Sequence, residues 1–381
     1  DKQNNLLLAV YDGSSWVKRI IASDILPFEY ISLSSGGSRD HVIVFDDKST
    51  HNTVLYPVTD HDEVPASGVS PVQVQYDGDS AINTNCAYNP VNGHFVASAF
   101  SASGELLFME FSEEFELIST EVVSDIGLPG IYSDIVVNPF NGNTTIVFHD
   151  AFDRSFRAAY RTETGWDIET VDAGGSVGVE CRAIMDRSGV LYVAYRDGTY
   201  YDESFLKLAV MEDGNWTIFT LDTTASVGRG LSIRLGSDDY PHIAYYGENS
   251  LKLLRFLGEN WQIYTILSDI EPSGRTNVIL GADDRPIYYY NDGEDFKMGY
   301  ALEGNLQPDN VESDSSNTTI GGDDTPTTGG GGGGGCFVAT AAFGSLASSS
   351  VRKLIAVRDS SIGASSTGIS VVDCYYSVSL S

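Results

Sequence analysis

The sequence predicts an all-β protein: a β-propeller followed by a glycine-rich linker and a small C-terminal tail. Three observations predict it. Trp166, Trp216 and Trp261 recur at steps of 50 and 45 residues. Each step contains about four short runs of β-branched and aromatic residues, separated by Gly, Asp and Asn turns, which is the length and content of one propeller blade. Seven consecutive glycines, from Gly329 to Gly335, then separate this repetitive body from a short apolar, serine-rich end.

The repeat is clearest in two neighbouring units. One runs through Val190-Leu191-Tyr192-Val193-Ala194-Tyr195 and Leu206-Lys207-Leu208 to Gly214-Asn215-Trp216. The next runs through His242-Ile243-Ala244-Tyr245-Tyr246 and Leu251-Lys252-Leu253 to Glu259-Asn260-Trp261. Earlier copies are weaker, and in one of them Phe115 stands where the tryptophan is expected. Recurrence at one place in successive units marks Trp16, Trp166, Trp216 and Trp261 as residues that pack blade against blade. Innermost strands are expected to begin near Phe28, Ile82, Tyr132, Cys181, Leu231 and Asn277. That count gives six blades, with five and seven as the alternatives. The first unit has only an outer half and the last lacks its Trp strand, so an N-terminal outer strand would complete the last blade and remove open edges. The third strand there is either residues 296–302 or residues 6–11.

The domain limits follow from composition. Residues 1–306 form the propeller. Residues 307–335 are first acidic and then poly-glycine, too poor in apolar side chains to fold alone. Residues 336–381 form the tail. Lys and Arg total 22 against 53 Asp and Glu, a net charge of −31. Such acidity argues against a nucleic-acid or anionic-membrane partner. No run of apolar residues approaches the ~18 of a transmembrane helix. The chain opens on Asp1, which suits a secreted or cell-surface protein whose signal peptide has been removed.

Four cysteines are present. Cys336 and Cys374 bracket the tail and are the expected disulfide, which would stabilise so small a unit by roughly 3–4 kcal/mol. Cys86 and Cys181 fall on predicted inner strands as buried thiols. No Cys or His spacing suggests a zinc site. Asp46-Asp47 and Asp283-Asp284 fall in predicted turns and are the only calcium candidates, but they lack the alternating ligands of a calcium loop. No cofactor is expected.

Arg229 and Arg275 each follow a glycine at the start of an innermost strand, where a propeller commonly holds ligands, and two guanidiniums there would grip a carboxylate or sulfate. Fragments such as Glu212-Asp213-Gly214-Asn215-Trp216 and Tyr11-Asp12-Gly13-Ser14-Ser15-Trp16 make residues 1–305 similar to the Asp-box and sialidase-like propellers of secreted bacterial proteins. That resemblance implies three arginines around a substrate carboxylate and a Tyr/Glu nucleophile pair. Only two arginines can be placed here.

The tail begins Cys336-Phe337-Val338-Ala339-Thr340-Ala341-Ala342-Phe343-Gly344-Ser345 and later carries Arg358-Asp359 and Tyr375-Tyr376-Ser377. These elements resemble the C-terminal CFI-box of secreted bacterial proteins, which implies a surface-targeting or assembly role. Residues 348–358 read as a short helix with Val351, Leu354 and Ile355 on one face, and residues 369–380 as a strand. Gly329, Gly335, Phe337, Phe343, Val371, Tyr375 and Tyr376 are accordingly the expected assembly residues. The expected function is a secreted, non-enzymatic structural subunit that self-associates into a homo-oligomer or filament through its tail. The alternatives are a sialidase-like glycan-processing enzyme and a glycan-binding lectin with a surface glycan as partner.

Overall fold

The computed structural model describes residues 6–11, 16–22, 27–36, 40–47, 52–59, 72–74, 81–101, 103–200, 203–224, 226–247, 249–256, 261–270, 273–280, 286–291 and 296–300. Among them there is no helix, and so none that is long and apolar enough to cross a membrane. The predicted linker, tail helix, tail strand and Cys336–Cys374 pair lie outside the described residues. The chain divides into two compact units, Asp1–Gly189 and Val190–Ser381.

The first unit opens with a hairpin of β1 (Leu6–Tyr11) and β2 (Trp16–Ala22). Three four-stranded antiparallel meanders follow. The first is β3 (Pro27–Gly36), β4 (Asp40–Asp47), β5 (Asn52–Thr59) and β6 (Val72–Val74). The second is β7 (Ala81–Tyr88), β8 (Phe95–Ser101), β9 (Leu106–Phe111) and β10 (Leu117–Ser124). The third is β11 (Pro129–Val137), β12 (Thr144–Asp150), β13 (Ser155–Thr162) and β14 (Gly165–Asp172). The unit ends on β15 (Val179–Met185).

In the second unit, β16 (Leu191–Tyr200), β17 (Glu203–Glu212) and β18 (Asn215–Asp222) are paired in chain order. A further meander contains β19 (Arg229–Leu235), β20 (Pro241–Tyr246), β21 (Ser250–Phe256) and β22 (Trp261–Ser268). The last sheet is β23 (Ser273–Leu280), β24 (Pro286–Asn291) and β25 (Phe296–Tyr300). Of the two expected candidates, β25 is therefore the third strand of this sheet, and β1 pairs with β2. Asp46 and Asp47 end β4 rather than occupying a turn.

Inner strands such as β8, β12 and β20 are buried on both faces, which explains their nearly continuous apolar sequences. Phe95, Ala97 and Ala99 of β8 pack with Val42, Val44 and Leu55 of the preceding sheet. Val96, between them, packs the other way with Phe108, Ile135, Ile146 and Phe148. Each fully buried Phe contributes about 1.5–3 kcal/mol by leaving water. Small antiparallel sheets stacked face to face, with their strands in chain order, make the fold a β-propeller. Two of the aromatics at or just before the start of an outer strand pack between sheets. Trp166 joins the second core, its ring 5.3 Å from that of Phe108. Phe115 takes the corresponding place against Phe95 at 5.6 Å.

A polar residue three or four positions before the end of several innermost strands ties to the backbone of the next. Asn85 Nδ2 donates to Ser133 O at 2.7 Å, and Asp134 Oδ2 accepts from Ala183 N at 2.9 Å. Ser32 Oγ accepts from Cys86 N at 3.1 Å, and in the second unit Ser232 Oγ accepts from Val278 N at 3.1 Å. Cys86 and Cys181 lie on these inner strands, and burial pushes the Cys86 thiol up to about 12.

Seven residues before the last residue of β11, β15 and β19 stand Gly130, Gly178 and Gly228, with φ of +87°, +85° and +85°. At Gly178 the strand also passes so close to its neighbour that a Cβ would lie 2.9 Å from Phe156 Cβ. Gly178→Ala is expected to lower the unfolding free energy by about 1–3 kcal/mol. Gly174→Ala should cost less, because Gly174 shares the positive φ but a Cβ there meets nothing within 4 Å. Urea titration of both variants checks the difference.

Candidate binding surface

Of the thirteen large apolar side chains exposed among the described residues, five fall within residues 117–128: Leu117, Ile118, Val122, Ile126 and Leu128. They are concentrated on β10 and the loop that follows it, so this is a patch rather than the scattered exposure normal for any surface. Phe152, 79% exposed in the turn between β12 and β13, belongs to the same surface. One carboxylate oxygen holds the two loops together. Asp150 Oδ1 accepts from Leu128 N at 3.2 Å and from Phe152 N at 3.0 Å. Ala151 N adds a backbone bond to Leu128 O at 3.1 Å.

The Asp150 side chain is buried at the end of β12, and its charge is met by Arg157 Nη2 at 3.3 Å. Arg157 also pairs with Asp153. For Asp153, burial works to raise the pKa, but hydrogen bonds from Ser155 and Arg157 prevail and hold it below its usual value. Beside them His149 is buried, with Nδ1 2.7 Å from Val177 O. Burial pushes its imidazole below the ordinary value, and the Val177 carbonyl and nearby Asp150 and Asp153 oppose this only in part. The frame beneath Phe152 therefore carries a neutral histidine and a compensated ion cluster.

On the inner side of β10 its one charged residue is also engaged. Glu121 accepts from Arg161 Nη2 at 2.7 Å and from Trp166 Nε1 at 3.2 Å. Arg161 lies 4.3 Å above the Phe108 ring and donates through Nη1 to Glu110 at 3.0 Å. Burial would raise the Glu110 pKa, but hydrogen bonds from His94 and Arg161 lower it overall. The outward positions of β10 are left uncharged. The corresponding strand β14 instead exposes Asp167 and Glu169.

The residues singled out from sequence fall elsewhere. Arg229 is exposed at the start of β19, opposite Tyr246. Arg275 lies in β23, between the Ser273↔Asn291 and Asn277↔Tyr289 pairs. Counted from the equivalent paired ends Leu235↔Pro241 and Leu280↔Pro286, the two arginines occupy neighbouring rather than identical strand positions. The repeated lysines of the third strands serve as ties: Lys207 to Asp197 at 2.9 Å, and Lys252 to Asp222 at 3.1 Å. Asp222 also accepts from Tyr245 OH at 2.8 Å. Cys336, Cys374 and the expected assembly residues Gly329, Gly335, Phe337, Phe343, Val371, Tyr375 and Tyr376 lie outside the described residues. An open cavity of about 330 Å³ lies where four innermost strands of the first unit converge, lined by Ser34, Cys86, Tyr88, Ile135, Val137 and Met185 among others.

No protein-family model and no curated protein matches the chain. Solved structures do. The BP39L lectin of Burkholderia pseudomallei aligns with a TM-score of 0.61 at 13% identity, over 79% of this chain and 90% of that one. A protein of unknown function from Dyadobacter fermentans aligns with a TM-score of 0.51 at 11% identity, over 71% and 92%. The β-propeller domain of the Trilobed protease of Pyrococcus furiosus aligns at 0.46 and 12%, over 79% and 92%. At these identities the likeness is one of fold.

The state of His149 sets a pH dependence. The unfolded chain protonates this imidazole near pH ~6.5, whereas the folded chain takes the proton only at lower pH. The stability it contributes is present above the unfolded value and is lost as pH falls toward the folded one. Unfolding free energy should therefore drop between pH 7.5 and 5.5, and His149→Gln should flatten that drop. Glu110 and Asp153, both held low, lose their contributions only at pH below about 4. Urea titrations across this range check the assignment.

Proposed function

We propose that this chain is a secreted, non-catalytic β-propeller subunit that self-associates on the cell surface, joined to its neighbours through residues 336–381. One observation carries the reading: the run of exposed apolar side chains along β10 and its loop, held on a rigid and charge-compensated frame. Exposed Leu, Ile, Val and Phe gathered in a short stretch, and rimmed by exposed Glu116, Asp125 and Asp153, make a surface suited to another polypeptide. The tail supplies a matching composition, with Phe337, Phe343, Val371, Tyr375 and Tyr376 behind a glycine run. Its Cys336 and Cys374 are its disulfide.

A second reading is favoured by the fold likeness to the BP39L lectin. In that reading the chain binds a glycan, and Arg229 and Arg275 hold an acidic group of it. Screening an array of acidic and neutral glycans with the wild type and with Arg229→Ala separates this reading from the first.

Deleting residues 329–381 is expected to convert the assembled protein into a soluble monomer with unchanged β-sheet circular dichroism. Sedimentation velocity checks it, and an oligomer that survives the deletion overturns the assembly reading.

A further inference from the structure

We infer that the outer edge of β10 is the acceptor strand onto which residues 369–380 of a neighbouring copy add as a further antiparallel or parallel strand. The inference rests on the assembly reading and names its docking site. In the order β10-β9-β8-β7, β10 is an edge, so one row of its backbone N–H and C=O groups faces away from the sheet. Proteins usually guard such an edge with charge. β14 does so with exposed Asp167 and Glu169, whereas β10 exposes Leu117, Ile118 and Val122, and its single acid is turned inward to Arg161 and Trp166. An unguarded apolar edge is the form taken by sites for β-strand addition, where main-chain hydrogen bonds supply affinity and alternate side chains supply specificity.

The occupant is argued from the same sequence. Residues 369–380 place Ile369, Val371 and Tyr375 on one face and Val372, Tyr376, Val378 and Leu380 on the other, so either face can cover apolar neighbours. The segment is longer than the eight residues of β10 and can pair along all of it. The segment carries a single charge, Asp373, so little repulsion opposes its approach to a chain whose net charge is −31. Sixty-eight residues, 301–368, separate this segment from Tyr300 at the end of β25, a length of chain sufficient to reach an adjoining molecule. Ile126, together with Leu128 and Phe152, whose backbone N–H groups are held by Asp150, extends the exposed apolar side chains beyond the strand.

The test places the photo-reactive residue p-benzoylphenylalanine at Val122 of the full chain. Irradiation of the assembled protein should yield a covalent dimer whose linked peptide lies within residues 369–380. A link within one chain, a dimer linked elsewhere, or no link to the protein overturns the inference. A second arm is independent of it. The double variant Ile118→Lys, Val122→Lys guards the edge with charge, and should lose the assembled species in sedimentation while keeping the wild-type thermal midpoint. Assembly retained by this variant but lost on deleting 329–381 sinks the β10 site and leaves the tail-mediated reading standing. Absence of assembly in the wild type sinks both.

Discussion

The hydrogen bonds between neighbouring innermost strands are the constraint on which the rest of the structure depends. Ser32 reaches Cys86, Asn85 reaches Ser133, Asp134 reaches Ala183, and in the second unit Ser232 reaches Val278. Each joins a side chain of one sheet to the main chain of the next, so it sets the stagger between sheets rather than the pairing within one. That stagger decides which apolar residues interdigitate. Only with β7 and β11 in this register does Val96 face Ile146 and Phe148 while Phe95 faces Val42 and Val44. An interior close-packed like a crystal leaves little room to slip, and a buried amide or carboxylate without its partner is costly. Polar tie and apolar core therefore enforce the same arrangement.

Charge follows a second economy. With 22 cationic residues against 53 acidic ones, cations are scarce, and several sit between strands. Arg157 meets two aspartates, Arg161 meets two glutamates, and Lys207 and Lys252 each meet a largely buried carboxylate. Partly buried pairs of this kind hold position strongly, because breaking one leaves a charge without solvent. One local effect is that Glu121 is withdrawn from the outer face of β10, and a strand that would otherwise carry a guard becomes apolar along its edge. The same structural tie thus produces the candidate binding surface.

Much of the architecture was legible in the residues themselves. The Trp and Phe115 positions, the repeated Leu-Lys-Leu strand and the turn residues placed the innermost strands and the clearest units, because alternation and turn chemistry are local properties of the chain. The turns at Asn89-Pro90-Val91-Asn92-Gly93 and Asn138-Pro139-Phe140-Asn141-Gly142 carry the same signal in the weaker early copies. In both, the Asn Oδ1 accepts from the backbone two residues on, and the closing glycine donates back to the Asn carbonyl. The surface around β10 was less accessible. Nothing in Leu117, Ile118 and Val122 taken alone marks them as exposed, because no local signal distinguishes an inward face from an outward one.

By itself the sequence determined the class of fold, the spacing of its units and the inter-sheet role of Trp166. Those depend on side-chain period, on glycine and asparagine in turns, and on composition. Only the tertiary structure decided that the repeated lysines are spent on aspartates, that Glu121 points inward, and that Asp150 joins Leu128 to Phe152 across two loops. These are meetings of residues from different strands, governed by the stagger of stacked sheets. Burial and partnership arise only when the chain has brought distant segments within a few ångströms, and no single segment carries that information.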